Sequence, residues 1–252
     1  MKYTPDLEPL FSRNAWFALG AFSLVTLVIL PLLYLVPAPG SALHVSAYTV
    51  TLAGKILCYT IVAMAMNLIW GYTGILSLGH GVFFALGGYA FGMYLMRQIG
   101  REGQYQSDLP DFMVFLDWKE YPWYWAGSEY FLWCAALVIL VPGLLALGFG
   151  FFSFRSRIKG VYFSIITQAM TFAFMLLFFR NDTGFGGNNG FTDFKRVLGF
   201  PITAPSTRAV IFGLTALAVI GTIILTRYLL RSKIGRVLTA IRDSESRLMF
   251  SG

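Results

Sequence analysis

The run from Ile56 to Met96 constrains this chain more than any other feature: 41 residues pass without an Asp, Glu, Lys or Arg. A helix crosses the hydrocarbon core of a bilayer with about 20 residues, so a run of this length suits two crossings with a break between them. The break is written in glycine, as Gly71-Tyr72-Thr73-Gly74 and then Ser77-Leu78-Gly79-His80-Gly81. Glycine at that density weakens a helix and lets backbones approach closely. The rest of the chain agrees. Of its 252 residues 57% are hydrophobic and 12% are charged, too little charge to clothe a soluble domain of this size. Disorder, collagen, a disulfide scaffold and an ordinary soluble enzyme are excluded together.

Further uncharged runs complete an all-α polytopic membrane helix bundle over residues 1–230. About six transmembrane helices are expected, at 15–37, 48–70, 76–96, 130–154, 160–179 and 209–230. The first is read as a retained helix and not a signal peptide, because it exceeds a usual h-region and follows Asp6 and Glu8. Cys58 and Cys134 lie in apolar stretches and read as small buried hydrophobes.

The net charge of +7 is explained by the positive-inside rule and not by nucleic acid, since the charges flank apolar runs. Arg155, Arg157 and Lys159 mark one cytoplasmic loop, and the basic tail 231–252 marks another cytoplasmic segment. The 97–129 loop, with three basic and six acidic residues, is expected outside. It carries Trp118, Tyr121, Trp123, Tyr124 and Trp125 and reads as a loop with an interfacial segment. Both termini then fall in the cytoplasm. The loop 180–208 has four basic and two acidic residues, yet parity puts it outside as well.

Chemistry-bearing residues are sparse. No phosphate-binding loop is present: the run Gly184–Gly190 lacks a following Lys-Ser or Lys-Thr and reads as a flexible loop. His44 and His80 have no partners at metal-ligand spacing. Ser77 and His80 stand three apart, but no acid in the stretch would orient the histidine. His80 is read instead as a helix-break residue or as part of a solute path. Asn67, Ser77, His80, Thr167 and Gln168 are the candidate pathway residues, with Thr73 and Thr171 as further polar groups within the spans. Interhelical glue and pathway lining stand as equal roles for each. Asn67 and Gln168 offer amide donors and acceptors suited to an uncharged amide solute. Gly88-x-x-x-Gly92 reads as a close-packing motif.

In the tail, Ile234, Val237, Leu238, Ile241, Leu248 and Met249 fall mostly on one helical face, and Asp243 and Arg247 are placed for an i,i+4 pair. This is an amphipathic helix that suits either the lipid surface or a groove on a cytosolic partner.

These residues also carry a resemblance. Asn67 to Gly81 resembles the N-L-x-x-G-Y-x-G-x-x-S-L-G motif of ABC importer permeases of the branched-chain amino acid type. Gly160-Val161-Tyr162-Phe163-Ser164-Ile165-Ile166-Thr167 is similar to the family's G-x-Y-F-A-I-x-T stretch, and Gly235 to Glu245 to its cytoplasmic coupling loop. Within the family, the 97–125 loop and Phe179 to Phe194 look most like the second permease subunit of urea importers. The resemblance implies a non-enzymatic subunit in a bacterial inner membrane, paired with a sister permease and served by a periplasmic solute-binding protein. Two ATP-binding subunits would use ATP, with no cofactor in this chain. Arg242, Asp243, Glu245 and Gly252 would belong to the surface that meets those subunits. Family members continue into further spans, so the chain is expected to be a fragment or a truncated product. A branched-chain amino acid permease, a passive small-solute channel and an intramembrane enzyme using Ser77 and His80 are the competing readings. A channel has no need of a coupling helix, and the enzyme lacks its acid.

Overall fold

The computed structural model describes residues 10–249 except 39, 157 and 159, with the backbone alone at 244–249. The chain divides into two compact units, Met1–Gly74 with Pro205–Gly252, and Ile75–Ala204.

The first unit opens with α1 (Arg13–Leu24), a π-helical turn (Val25–Ile29) and α2 (Leu30–Leu35), which form one rod. Ser12 caps the rod by accepting from the Ala15 N–H. The wide turn has a cause in Pro31, which lacks an N–H and would press its ring on the preceding turn. The Leu30 N–H reaches back five residues to the Val25 carbonyl, which opens the turn ahead of the ring. Helix α3 (Ala47–Thr73) starts at Ser46, whose hydroxyl accepts from the Thr49 N–H at 3.2 Å. Tyr34, Val50 and Leu57 pack with Ala209, Phe212, Ala216 and Val219 of α8 (Pro205–Arg231) to form the core of this unit. Alanines at 209 and 216 keep α8 close to its neighbours, the usual device for packing helices in lipid. Ser232 turns the chain and caps α9 (Lys233–Met249) by accepting from the Ile234 N–H.

The second unit contains α4 (His80–Arg97), α6 (Phe131–Arg155) and α7 (Val161–Phe179), with the short helix α5 (Asp111–Phe115) between the first two. Among the described residues, five helical segments are long and apolar enough to cross a membrane: Arg13–Leu35, Ala47–Thr73, Phe131–Arg155, Val161–Phe179 and Pro205–Arg231. Helix α4 stands where the sixth span, 76–96, is expected, but it is not among these five. It is less apolar than the five because it carries His80, two tyrosines, four glycines and Arg97.

The packing of α4 corrects the glycine motif. A Cβ on Gly88 would meet nothing within 4 Å. Gly87 is the close-packing residue, set against the Val138 carbonyl of α6, while Gly92 lies against the Phe191 ring. The motif spacing is present, but the face that α4 turns to α6 is offset by one residue.

The loops of this unit are folded. Met93, Met96, Ile99, Met113 and Trp125 make a second core, with Phe112, Tyr121, Tyr124 and Phe191 packed around it. Trp125 and Met113 are fully buried, so the expected interfacial segment is largely a hydrophobic core of its own. Trp123, 87% exposed, keeps the expected character. The glycine-rich run is built into the same body. A 3₁₀ turn spans Gly187–Asn189, Phe185 packs against Tyr89 and Tyr124, and the Tyr124 hydroxyl donates to the Thr183 carbonyl at 2.5 Å. A two-stranded hairpin, β1 (Arg196–Val197) and β2 (Phe200–Pro201), completes it. The 97–129 and 180–204 loops share one core, through Trp125, Tyr121 and Phe191. The excess positive charge of the second loop is answered locally: Arg180 pairs with Asp182, Lys195 with Asp193 and Arg196 with Glu102.

Candidate translocation segment and coupling helix

Helix α3 ends where the sequence breaks. Gly74 sits at φ +71° in the left-handed region, where a side chain costs about 1–2 kcal/mol, and its N–H closes the last turn on the Trp70 carbonyl at 3.1 Å. Residues 75–79 are non-helical, and α4 begins at His80. Non-helical backbone at membrane depth has to find partners within the protein, because lipid offers none.

Helix α7 supplies those partners with three hydroxyls. Ser164 donates to the Leu76 carbonyl at 2.8 Å. The Leu78 N–H donates to Thr167 Oγ1 at 3.0 Å, and Thr171 Oγ1 donates to the Leu78 carbonyl at 3.0 Å. Positions 164, 167 and 171 recur at helical spacing, so one stripe of α7 faces the segment. Gly79 lets α7 come this close: a Cβ there would lie 2.8 Å from Met170 Cε and 3.5 Å from Thr167 Cβ.

The five candidate pathway residues separate by role. Thr167 is 1% exposed and serves as the central clamp. Ser77 is buried within the segment itself. His80 is half-buried at the first position of α4, with Nδ1 3.3 Å from the Ser77 carbonyl. That contact goes to the carbonyl and not to the Ser77 hydroxyl, which leaves the nucleophile–base reading without its defining hydrogen bond. Gln168 is half-buried beside Thr167. Asn67 belongs to the other unit, exposed on α3 one turn before Gly71. Among the described residues no group of three His, Cys, Asp or Glu is placed to hold a metal ion. An apolar cavity of about 410 Å³ lies elsewhere in the second unit, lined by Tyr89, Met93, Trp133, Phe178 and Phe185 among others, and none of the five candidates borders it.

The signal for Ser164 and Thr171 was in the sequence. Hydroxyls at 164, 167 and 171 form a stripe on an otherwise apolar helix, but the spacing alone does not say what the stripe faces.

The last described helix, α9, is strongly amphipathic. Arg242 turns toward α3: its Nη1 donates to the Gly71 carbonyl at 3.3 Å, and Nε donates to Asp243 Oδ1 at 3.1 Å. Asp243 is therefore engaged by its neighbour. Arg247, the expected partner of Asp243, and Glu245, expected at the coupling surface, lie in α9 with side chains outside the described residues, and Gly252 lies wholly outside them.

Residues 48–252, four-fifths of the sequence, match the family model described as the permease component of branched-chain amino acid transport systems. The chain belongs to that family. It is a membrane-embedded transport component and not an enzyme. The permease is 27% identical over 223 residues to the high-affinity branched-chain amino acid transport system permease protein LivM of Escherichia coli (strain K12), an alignment covering 80% of this chain. The chain spans 45% of that relative's length. No solved structure matches the permease. The family match takes in the break, the α7 stripe and α9 together.

Proposed function

We propose that this permease forms the translocation path of an ATP-driven ABC importer for urea or a similar small amide, together with a sister permease. Two ATP-binding subunits would bind at α9, with Asp243, Glu245 and Gly252 of the four expected residues on the contact surface and Arg242 turned toward α3, and a periplasmic solute-binding protein would deliver the cargo. The chain would sit in a bacterial inner membrane, with the 97–129 and 180–204 loops outside and α9 in the cytoplasm. The observation that carries this reading is the broken α3–α4 pair, in which the Leu76 carbonyl and both backbone groups of Leu78 are partnered by the Ser164, Thr167 and Thr171 hydroxyls. A segment held by a few polar contacts can change partners at modest cost, which suits a moving element of a path. Small polar groups along it, Ser77 and Gln168 among them, suit a compact uncharged solute. Asn67 would serve the same path from α3.

A second cargo, a branched-chain amino acid, is favoured by the similarity to LivM, whose name states that class. The two are separated by reconstituting the assembled transporter and following uptake of labelled urea and labelled leucine, each with its cognate binding protein. Urea uptake that needs ATP supports the proposal. Leucine uptake alone replaces the cargo, and urea flux that persists without ATP replaces the importer with a channel.

A further inference from the structure

The geometry points to Arg242 as the residue that links α9 to the end of α3, a positioning role distinct from contact with an ATP-binding subunit. The inference rests on the importer reading above and deepens it. The last turn of any α-helix leaves carbonyls without intrahelical donors, and the partial negative charge gathered there attracts a cation. At the end of α3 that cation is Arg242, whose Nη1 donates to the Gly71 carbonyl.

Three further features make the contact specific. The stem of Arg242 lies over Gly74: a Cβ on that glycine would come within 3.2 Å of Arg242 Cγ. The left-handed φ of Gly74 and the closeness of the stem thus call for the same residue. The guanidinium is steadied from its other edge by Asp243, so its planar fork is oriented before it meets the carbonyl. Finally, α9 follows α8 after the single residue Ser232, whose N–H bonds to the Tyr228 and Leu229 carbonyls and whose hydroxyl caps α9. A helix hinged at such a tight corner and bonded mid-length to the end of α3 moves that end when it swings. The end of α3 is Gly71–Gly74, and the chain runs from it directly into residues 75–79.

Uptake and ATP hydrolysis measured together on the assembled transporter test this role. With Arg242→Ala or Arg242→Gln, the ATP-binding subunits should still co-purify, while solute moved per ATP falls about ten-fold, within the usual range of coupling between sites. Arg242→Lys keeps a cation at the helix end and should recover most of the ratio. Should the alanine variant fail to assemble, the glutamine variant carries the test. A wild-type ratio in the alanine or glutamine variant overturns the inference. So does loss of the ATP-binding subunits from an otherwise folded variant, which would return Arg242 to the docking surface. Wild-type transporter that moves no solute with ATP would instead defeat the importer reading, and the two failures are read from different samples.

Discussion

Two parts of the second unit are held together in opposite ways. The loop body around Trp125 is a dense aromatic cluster, in which Trp125 meets Phe112, Tyr121 and Phe191 within 6.4 Å of ring centroids. It is tied to α4 by Arg97, which pairs with Glu129 at 2.9 Å and stacks on the Tyr121 ring at 3.9 Å. Residues 75–79 meet α7 chiefly through hydrogen bonds, with Ser164, Thr167 and Thr171 partnering the backbone of Leu76 and Leu78. Apolar packing is non-directional and redundant, so the loop body resists change. Hydrogen bonds from hydroxyls are few and directional, so the segment can exchange one set of partners for another. On the proposed function, the difference is the one expected between a scaffold and a moving segment.

Substitutions should expose that contrast, and the largest effect falls in the scaffold. Trp125→Ala removes a fully buried ring and should destabilise the purified protein by about 3–5 kcal/mol, seen as a lowered Tm in detergent. A Tm close to that of the unaltered protein would mean that the cluster is not a core. Next comes Thr167→Val, which keeps the shape and strands the Leu78 N–H. The expected loss is about 1–3 kcal/mol, with faster amide exchange at residue 78. Exchange at 78 that does not respond would remove Thr167 from the clamp. Gly74→Ala places a side chain in the left-handed region at a cost of about 1–2 kcal/mol, and its thermal shift should be smaller than that of Trp125→Ala.

The smallest effect belongs to the surface ion pairs of the loops. Hydrogen bonding to Arg101, aided by its charge, holds the Asp108 carboxyl below the ordinary aspartate range. A depressed carboxylate adds stability above its unfolded pKa and loses it as pH falls through the folded one. Both side chains are about three-quarters exposed, so Asp108→Asn should leave Tm unchanged at neutral pH within error. A large shift there would place that pair inside the scaffold.

Much of the architecture was legible because a bilayer imposes long uncharged runs, and the helices fall within a few residues of those runs. The break was legible too, since Gly71 to Gly81 announces it. What the sequence did not show is set by distance along the chain. The loop 184–190 reads as flexible by composition, yet Phe185 and Phe191 anchor it on Tyr89, nearly a hundred residues earlier. Arg242 reads as a surface residue, and its partner Gly71 is 171 positions away. Periodicity reports which face of a helix is apolar; it carries no information about which distant backbone group a polar side chain will meet.

Amide hydrogen exchange on the complete transporter, with and without trapped nucleotide, tests the contrast most directly. Protection of residues 75–79 should change with nucleotide while residues 112–125 keep theirs. Equal protection of 75–79 in both states, or a matching change in 112–125, would contradict the division into moving segment and fixed scaffold.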